Sequence, residues 1–109
     1  MKKYYKVVTK DLKSLGLRKN PNIMVFPIGE WIFEPKNRIN RSNADLGGIW
    51  VAQTLSGAKG LIKYMKKKAL KENKPEFNNV RLFECEIGEI LYENSYRVKT
   101  TKVKLIKEL

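Results

Sequence analysis

Short runs of alternating apolar and polar residues recur along most of the chain, a pattern typical of β-strands. These runs are rich in β-branched and aromatic side chains, which favour extended structure. Strands are predicted over residues 4–10, 23–26, 30–33, 47–53 and 80–87, with two more on either side of a turn at 94–95. Pro27 and Gly29 favour a tight reversal, so the two strands that flank them are expected to pair as a hairpin. Residues 10–16 predict a short helical segment that Gly16 ends.

The apolar period changes to that of an α-helix between residue 55 and about residue 70. At about 100° per residue, the apolar side chains of this segment fall on an arc of roughly 120°. They are Leu55, Ala58, Leu61, Ile62, Met65 and Ala69. Thr54 or Ser56 is the expected N-cap, and Pro75 cannot continue the helix. The apolar arc is expected to pack on the sheet while a neighbouring arc of lysines faces water.

A series of strands with one long helix predicts the α+β class. The expected fold is a small, mostly antiparallel sheet of about five to seven strands with one long amphipathic helix packed on it. A chain of 109 residues is expected to form a single domain over 1–109. No apolar run approaches the roughly 18–20 residues that span a bilayer. We therefore expect a cytoplasmic monomer or homodimer without membrane contact.

The net charge of +12, from 23 basic and 11 acidic residues, is concentrated in parts of the chain. Residues 59–74 contain seven lysines and Glu72, whereas residues 75–95 contain Arg81 and five glutamates. Such a field attracts polyanions and speeds their encounter with the protein. An alternative stays open, because a chain rich in Lys, Asn and Ile also arises from an AT-rich genome without any binding role.

The lysine arc of the helix is the best candidate for a binding surface. Lysines follow one another at 59/63, 63/67 and 67/71, where like charges repel and mixed charges would attract. A polyanionic partner, DNA or RNA, alone or in a nucleoprotein, would offset that repulsion. The polar loop 35–46 is a second candidate surface. The candidate binding residues are Lys59, Lys63, Lys66, Lys67, Lys71 and Lys74, with Arg38 and Arg41 in the loop.

The usual catalytic and metal-binding constellations are missing from the sequence. It has no histidine and one cysteine, so the commonest general base and the usual zinc ligands are absent. The glycine spacing matches neither a P-loop nor a dinucleotide fingerprint. The helix N-terminus, with Lys59 in its first turn, is a generic place for a phosphate. No catalytic residue, metal or cofactor is predicted.

Strand alternation gives the single cysteine and its acidic neighbours different roles. Cys85 is expected to be a small core residue rather than a nucleophile. Glu84 and Glu86 share the opposite face of the strand. They hold a divalent ion, act as acid and base, or are solvated and paired with Lys or Arg of a neighbouring strand. Trp31 and Trp50 are expected in the core or at its edge.

The chain resembles small proteins of phages and prophages in four segments: "YYKVVTKDLKS", "IGEW", "GGIWVAQTLSGAKGLI" and "LFECEIGEIL". Its layout is also similar to a reduced ADP-ribosyltransferase module. The polar triads of that superfamily are not present, since there is no histidine and no Ser-Thr-Ser after a strand. The resemblance covers most of the chain but no catalytic motif, so it implies no active site. It implies a viral or bacterial cytoplasmic setting and a counter-defence or host-takeover role.

Three functions compete. The leading expectation is a non-enzymatic, basic binding module, a phage or prophage accessory protein that engages nucleic acid or a nucleic-acid-containing host complex. The first alternative is a protein–protein inhibitor or counter-defence factor that uses charge only for steering towards a host protein. The second alternative is a degenerate ADP-ribosyltransferase-like enzyme.

Overall fold

The structure, a computed structural model, describes residues 2–15, 23–36 and 47–109. Within these ranges the chain forms, in order, β1 (Tyr4–Val8), β2 (Trp31–Phe33), β3 (Ile49–Ala52), α1 (Leu55–Lys71), a short 3-10 helix (Pro75–Asn78), β4 (Arg81–Ile87), β5 (Ile90–Glu93), β6 (Arg97–Thr100) and β7 (Lys102–Glu108). The described strands form one seven-stranded sheet in the order β2-β7-β4-β1-β3-β6-β5, with all neighbouring strands antiparallel. One long helix packs on this sheet, which confirms the predicted α+β fold.

A long hairpin supplies four of these strands, because β4 and β5 run against β7 and β6. Its turn lies at Asn94, as predicted. The side-chain oxygen of Asn94 accepts hydrogen bonds from the N–H groups of Tyr96 and Arg97, each at 2.9 Å. Asparagine is favoured in turns because its side chain can replace backbone hydrogen bonds in this way.

Both arms of the hairpin bend, one at Gly88 and the other at Thr101. The N–H of Gly88 donates to the carbonyl of Lys102 at 3.0 Å, and the N–H of Thr101 donates to the carbonyl of Glu89 at 3.1 Å. The arms therefore stay paired through the bend. A Cβ atom on Gly88 would lie 2.5 Å from Cγ of Lys102, so this close approach requires glycine.

The bend curls the sheet around one main core. Val98 of β6 and Val103 of β7 belong to the same buried cluster, although three strands separate β6 from β7 in the sheet order. The cluster comprises Val8, Phe26, Ile49, Val51, Phe83, Cys85, Val98, Val103 and Leu105. Burial of their apolar surface is the main favourable contribution to folding.

A second cluster lies on the outer face of the curled sheet, beneath α1. Val7 and Leu82 face the helix, because alternate residues of a strand point to opposite sides, and they pack with Ala58. Helix α1 lies mainly over β1 and β3. The sheet thus has its main core on the inner face and a helix on part of the outer face.

The short helix predicted over 10–16 is wrong in its described part, residues 10–15. Leu12 has a φ of +61°, and Lys13 forms an isolated bridge with Val25. The N–H of Phe26 donates to the carbonyl of Leu12 at 2.8 Å, and the Phe26 side chain is only 1% exposed. Long-range burial of this ring therefore outweighs the weak helix preference of a short segment.

The predicted hairpin between 23–26 and 30–33 is also wrong. Strand β2 pairs with β7, where Trp31 lies opposite Lys104, whereas residues 23–26 bond to the segment around Lys13, with which Val25 forms an isolated bridge. The reversal between them does exist. The N–H of Glu30 donates to the carbonyl of Pro27 at 3.3 Å.

The C-terminal region forms three strands instead of the predicted two, because the second arm of the hairpin is interrupted at Thr101. The hydroxyl of Thr100 accepts the N–H of Gly88, and the hydroxyl of Thr101 accepts the N–H of Glu89, each at 3.1 Å. These side chains add hydrogen bonds to the backbone pairing at the bend. Gly16 and positions 37–46 of the predicted loop lie outside the described residues.

Candidate nucleic-acid interface

Helix α1 begins and ends close to the predicted residues. Thr54 is its N-cap, and the hydroxyl of Thr54 accepts a hydrogen bond from the N–H of Gly57 at 3.0 Å. The last helical residue is Lys71, and Asn73, with a φ of +52°, turns the chain away. Met65 is fully buried. The apolar arc therefore faces the sheet, as predicted.

Six exposed lysines form what we call the lysine face: Lys59, Lys63, Lys66, Lys67, Lys71 and Lys74. Five of them project from α1, and Lys74 follows just after its end. Among the residues that the structure describes, none of the six forms an ion pair with a carboxylate. The structure thus brings these candidate residues together on one cationic surface. Arg38 and Arg41, the other two candidates, lie outside the described residues.

Glu72 is the acidic residue of this region, and it pairs with a lysine outside the lysine face. The ammonium of Lys68 lies 2.6 Å from the Glu72 carboxylate, one helical turn earlier. The hydrogen bond from Lys68 lowers the pKa of Glu72, and the charges of Lys74 and Lys71 lower it further. Glu72 therefore neutralises Lys68 and leaves the surrounding surface positive.

An open groove of about 420 Å³ flanks the lysine face. It is lined by Leu55, Lys59, Ile62, Val80, Arg81, Leu82, Glu108 and Leu109. Arg81 forms two hydrogen bonds with the Glu108 carboxylate, at 2.9 Å and 2.6 Å. These hydrogen bonds lower the pKa of Glu108 and raise the pKa of Arg81. Arg81 is therefore neutralised, whereas Lys59 contributes a positive charge to both the groove and the lysine face.

A second surface of cations and aromatic rings, which the sequence did not predict, lies on the outer face of β2 and β7. The ammonium of Lys102 lies 4.3 Å from the ring centroid of Trp31, and that of Lys104 lies 5.1 Å from it. Phe33, which is 59% exposed, has the Lys102 ammonium 5.5 Å from its ring centroid. We call Trp31 and Phe33 the aromatic pair. The alternation of lysine and valine at 102–104 places both lysines on one face, but no local signal shows that β2 lies beside them.

Trp50, the other tryptophan, lies on β3, towards the end of the sheet order that is opposite to β2. The rings of Trp50 and Tyr92 meet edge to face, with their centroids 5.8 Å apart. The guanidinium of Arg97 lies 4.3 Å from the centroid of Trp50. These contacts connect β3, β5 and β6 on the outer face.

Cys85 is buried, as strand alternation predicts, and its acidic neighbours pair with lysines, which was one of the alternatives. Cys85 is 3% exposed, and burial raises the pKa of its thiol to about 12. The ammonium of Lys3 lies 3.2 Å from the Glu84 carboxylate, and that of Lys104 lies 3.7 Å from the Glu86 carboxylate. The two carboxylates are thus paired with lysines of neighbouring segments. The described ranges contain no group of three or more potential metal ligands.

Comparison of the chain with family models, curated proteins and solved structures finds no match in any of the three. Of the described segments, none forms a helix with the length and apolarity that crossing a bilayer requires. Function is therefore inferred from the surfaces described above.

Proposed function

We propose that the protein is a non-enzymatic module that binds nucleic acid through the lysine face. The observation that supports this is a helix whose solvent side carries lysines without carboxylate partners among the described residues. Like charges one turn apart repel and weaken a helix. Phosphate groups would relieve this repulsion and would release the counterions that otherwise surround the nucleic acid.

The size of the helix suits contact with several phosphates. Helix α1 has 17 residues, which corresponds to about 25 Å at 1.5 Å per residue. A nucleic-acid strand in a duplex rises about 3.4 Å per nucleotide, so α1 is as long as about seven base pairs. The lysine face begins at Lys59, the fifth residue of the helix, and continues past its end to Lys74.

We further propose a setting for this activity. The partner is DNA or RNA, alone or within a host nucleoprotein, and the protein is a phage or prophage accessory protein that acts in the bacterial cytoplasm. The sequence resemblance described above supports this setting, and the basic surface supports the choice of partner.

Two triple variants with equal charge changes test the proposal. The α1 variant is Lys59→Glu, Lys63→Glu and Lys67→Glu. The control variant is Lys10→Glu, Lys13→Glu and Lys107→Glu, at exposed positions that are not part of α1. Each variant lowers the net charge of +12 by the same amount. We expect the α1 variant to lose about tenfold or more in affinity for a labelled duplex at low salt, and the control variant to lose less than about threefold.

Fluorescence anisotropy measures the affinities, and circular dichroism verifies that both variants melt like the wild type. If the two variants lose affinity equally, the net charge of the protein and not the lysine face determines binding. That result would contradict the proposal, as would undetectable binding of the wild-type protein to both the duplex and a single strand at low salt.

The groove beside the lysine face supports a second candidate function, the binding of an acidic segment of a protein. Its aliphatic lining suits one apolar side chain, and Lys59 would attract a neighbouring carboxylate. Two labelled eight-residue peptides test this, one with a Leu-Leu pair between glutamates and one with a Ser-Ser pair. The leucine peptide is expected to bind at least about tenfold more tightly, and equal binding would exclude the groove as the site.

A further inference from the structure

The aromatic pair occupies an edge of the sheet. Ile32 packs against the main core, so strand alternation turns Trp31 and Phe33 to the outer face. Strand β2 has β7 on one side, and no other described strand lies on its other side. The ring of Phe33 is mostly exposed, and that of Trp31 is partly exposed.

The pairing of β2 with β7 sets two cations beside these rings. Phe33 lies opposite Lys102 and Trp31 lies opposite Lys104. The Lys102 ammonium lies 4.3 Å from one ring centroid and 5.5 Å from the other. Rings and ammonium groups therefore alternate within one small surface.

The fold holds both lysines in position. The stem of Lys102 runs against Gly88, where even a Cβ atom would be 2.5 Å from its Cγ. The ammonium of Lys104 lies 3.7 Å from the Glu86 carboxylate on β4. The cations are thus anchored to the central part of the sheet, and the rings stand at its margin.

We infer that the aromatic pair is a stacking site for unpaired bases, and hence that the ligand is single-stranded nucleic acid. This inference rests on the proposed function and specifies its ligand. Bases in a duplex are stacked on one another, whereas an unpaired base offers its face to an aromatic side chain. When a base stacks on Phe33, the ammonium of Lys102 is close enough to exchange its contact with the ring for one with the adjoining phosphate.

A single strand can contact the aromatic pair and the lysine face together. The longest dimension of the molecule is 34 Å. A strand of 20 nucleotides is about 68 Å long even at the 3.4 Å rise of a duplex. Phosphate contacts along α1 would then supply much of the affinity, and stacking at β2 would supply the preference for unpaired bases.

Binding of two probes to substituted proteins tests this inference. The probes are a fluorescein-labelled 20-nucleotide oligothymidine and the same strand annealed to oligoadenosine. Phe33→Leu keeps an apolar side chain but removes the aromatic face, whereas Phe33→Tyr keeps that face. Tyr96→Leu is the control, because Tyr96 is an exposed ring in the turn between β5 and β6, which lie at the other end of the sheet order from β2.

We expect the wild-type protein to prefer the single strand. Phe33→Leu should weaken its binding by about 5-fold to 150-fold, which corresponds to 1–3 kcal/mol for one stacked base. Phe33→Tyr and Tyr96→Leu should stay within about twofold of the wild type, and the affinity of Phe33→Leu for the duplex should not change.

Equal binding of both probes, with no effect of Phe33→Leu on either, would overturn the inference. The proposed function would still stand in that case, provided that the α1 variant weakens both complexes. If neither probe binds the wild-type protein at low salt, both the inference and the proposed function are wrong.

Discussion

Replacing Lys6 by methionine should change how the stability of the fold depends on pH. The side chain of Lys6 is partly buried on β1, and its ammonium donates a hydrogen bond to the carbonyl of Trp50 at 2.6 Å. The same ammonium lies 5.1 Å from the ring centroid of Phe26. Burial lowers the pKa of Lys6 from 10.5 to about 8, against a smaller opposing effect of Cys85.

The size of the change in the free energy of unfolding follows from this pKa. A pKa of about 8 in the folded state and 10.5 in the unfolded chain means that folding weakens proton binding by about 3 kcal/mol. Below pH 8 both states carry the proton, and the full penalty is present. Between pH 8 and pH 10.5 the unfolded chain binds more protons, so the free energy of unfolding contributed by Lys6 rises with pH. The value is an upper bound, because water reaches part of the side chain.

Urea denaturation, followed by circular dichroism at intervals from pH 7 to pH 10.5, measures the effect. At pH 7 the Lys6→Met variant should be about as stable as the wild type or slightly more stable, because it loses both the burial penalty and a charged hydrogen bond worth about 1.5–3 kcal/mol. By pH 10.5 the wild type should have gained about 2–3 kcal/mol relative to the variant. Lys63→Met, at an exposed position of α1, controls for the loss of one surface charge. A stability difference between wild type and Lys6→Met that stays constant over this range would refute the reasoning.

Two further predictions concern the buried residues Met65 and Cys85. Met65→Asp should destabilise the domain by on the order of 3–5 kcal/mol, because it buries an unpaired charge beneath α1. Met65→Leu should cost less than about 1.5 kcal/mol. Thermal melts of the two variants distinguish these outcomes. The thiol of Cys85 should react with a disulfide reagent at neutral pH only as the protein unfolds, since it is buried and its pKa is about 12, and rapid reaction without denaturant would contradict its place in the core.

The parts of the fold that the sequence predicts are those determined by local pattern. Helix α1 is long, strongly amphipathic and capped by Thr54, so its limits and its buried residue Met65 follow from the spacing of apolar residues. The alternation around Cys85 similarly predicts that this side chain is buried and that Glu84 and Glu86 share the opposite face. Which of the alternatives for the two carboxylates applies could not be predicted, because the lysines that pair with them lie on other segments.

The errors occur where distant residues decide the structure. Phe26 fills the main core and is bonded to the segment around Leu12, so residues 23–26 do not form the local hairpin that the turn at Pro27 favours. The interruption at Thr101 coincides with hydrogen bonds across the hairpin that the hydroxyls of Thr100 and Thr101 accept. Neither interaction has a signature within a window of ten or so residues.

The same distinction between local pattern and distant contacts applies to the candidate site. The exposure of Lys59, Lys63 and the other lysines of α1 follows from helical periodicity, although their role in binding stays a prediction. The surface around Trp31 could not be predicted, because it requires β2 to pair with a strand more than 60 residues later in the chain. A surface formed by strands so far apart in the sequence can be recognised only when the pairing and register of those strands are known.

The salt dependence of binding tests the central claim most directly. The association constant of the wild type, the α1 variant and the control variant for one labelled duplex is measured between about 50 and 200 mM salt, and its logarithm is plotted against that of the salt concentration. If the lysine face contacts phosphates, the slope for the α1 variant should be shallower than that of the wild type by up to about 2.7, or about 0.9 for each lysine removed. The control variant should keep the slope of the wild type. Equal slopes for all three proteins would contradict the claim that the lysine face binds nucleic acid.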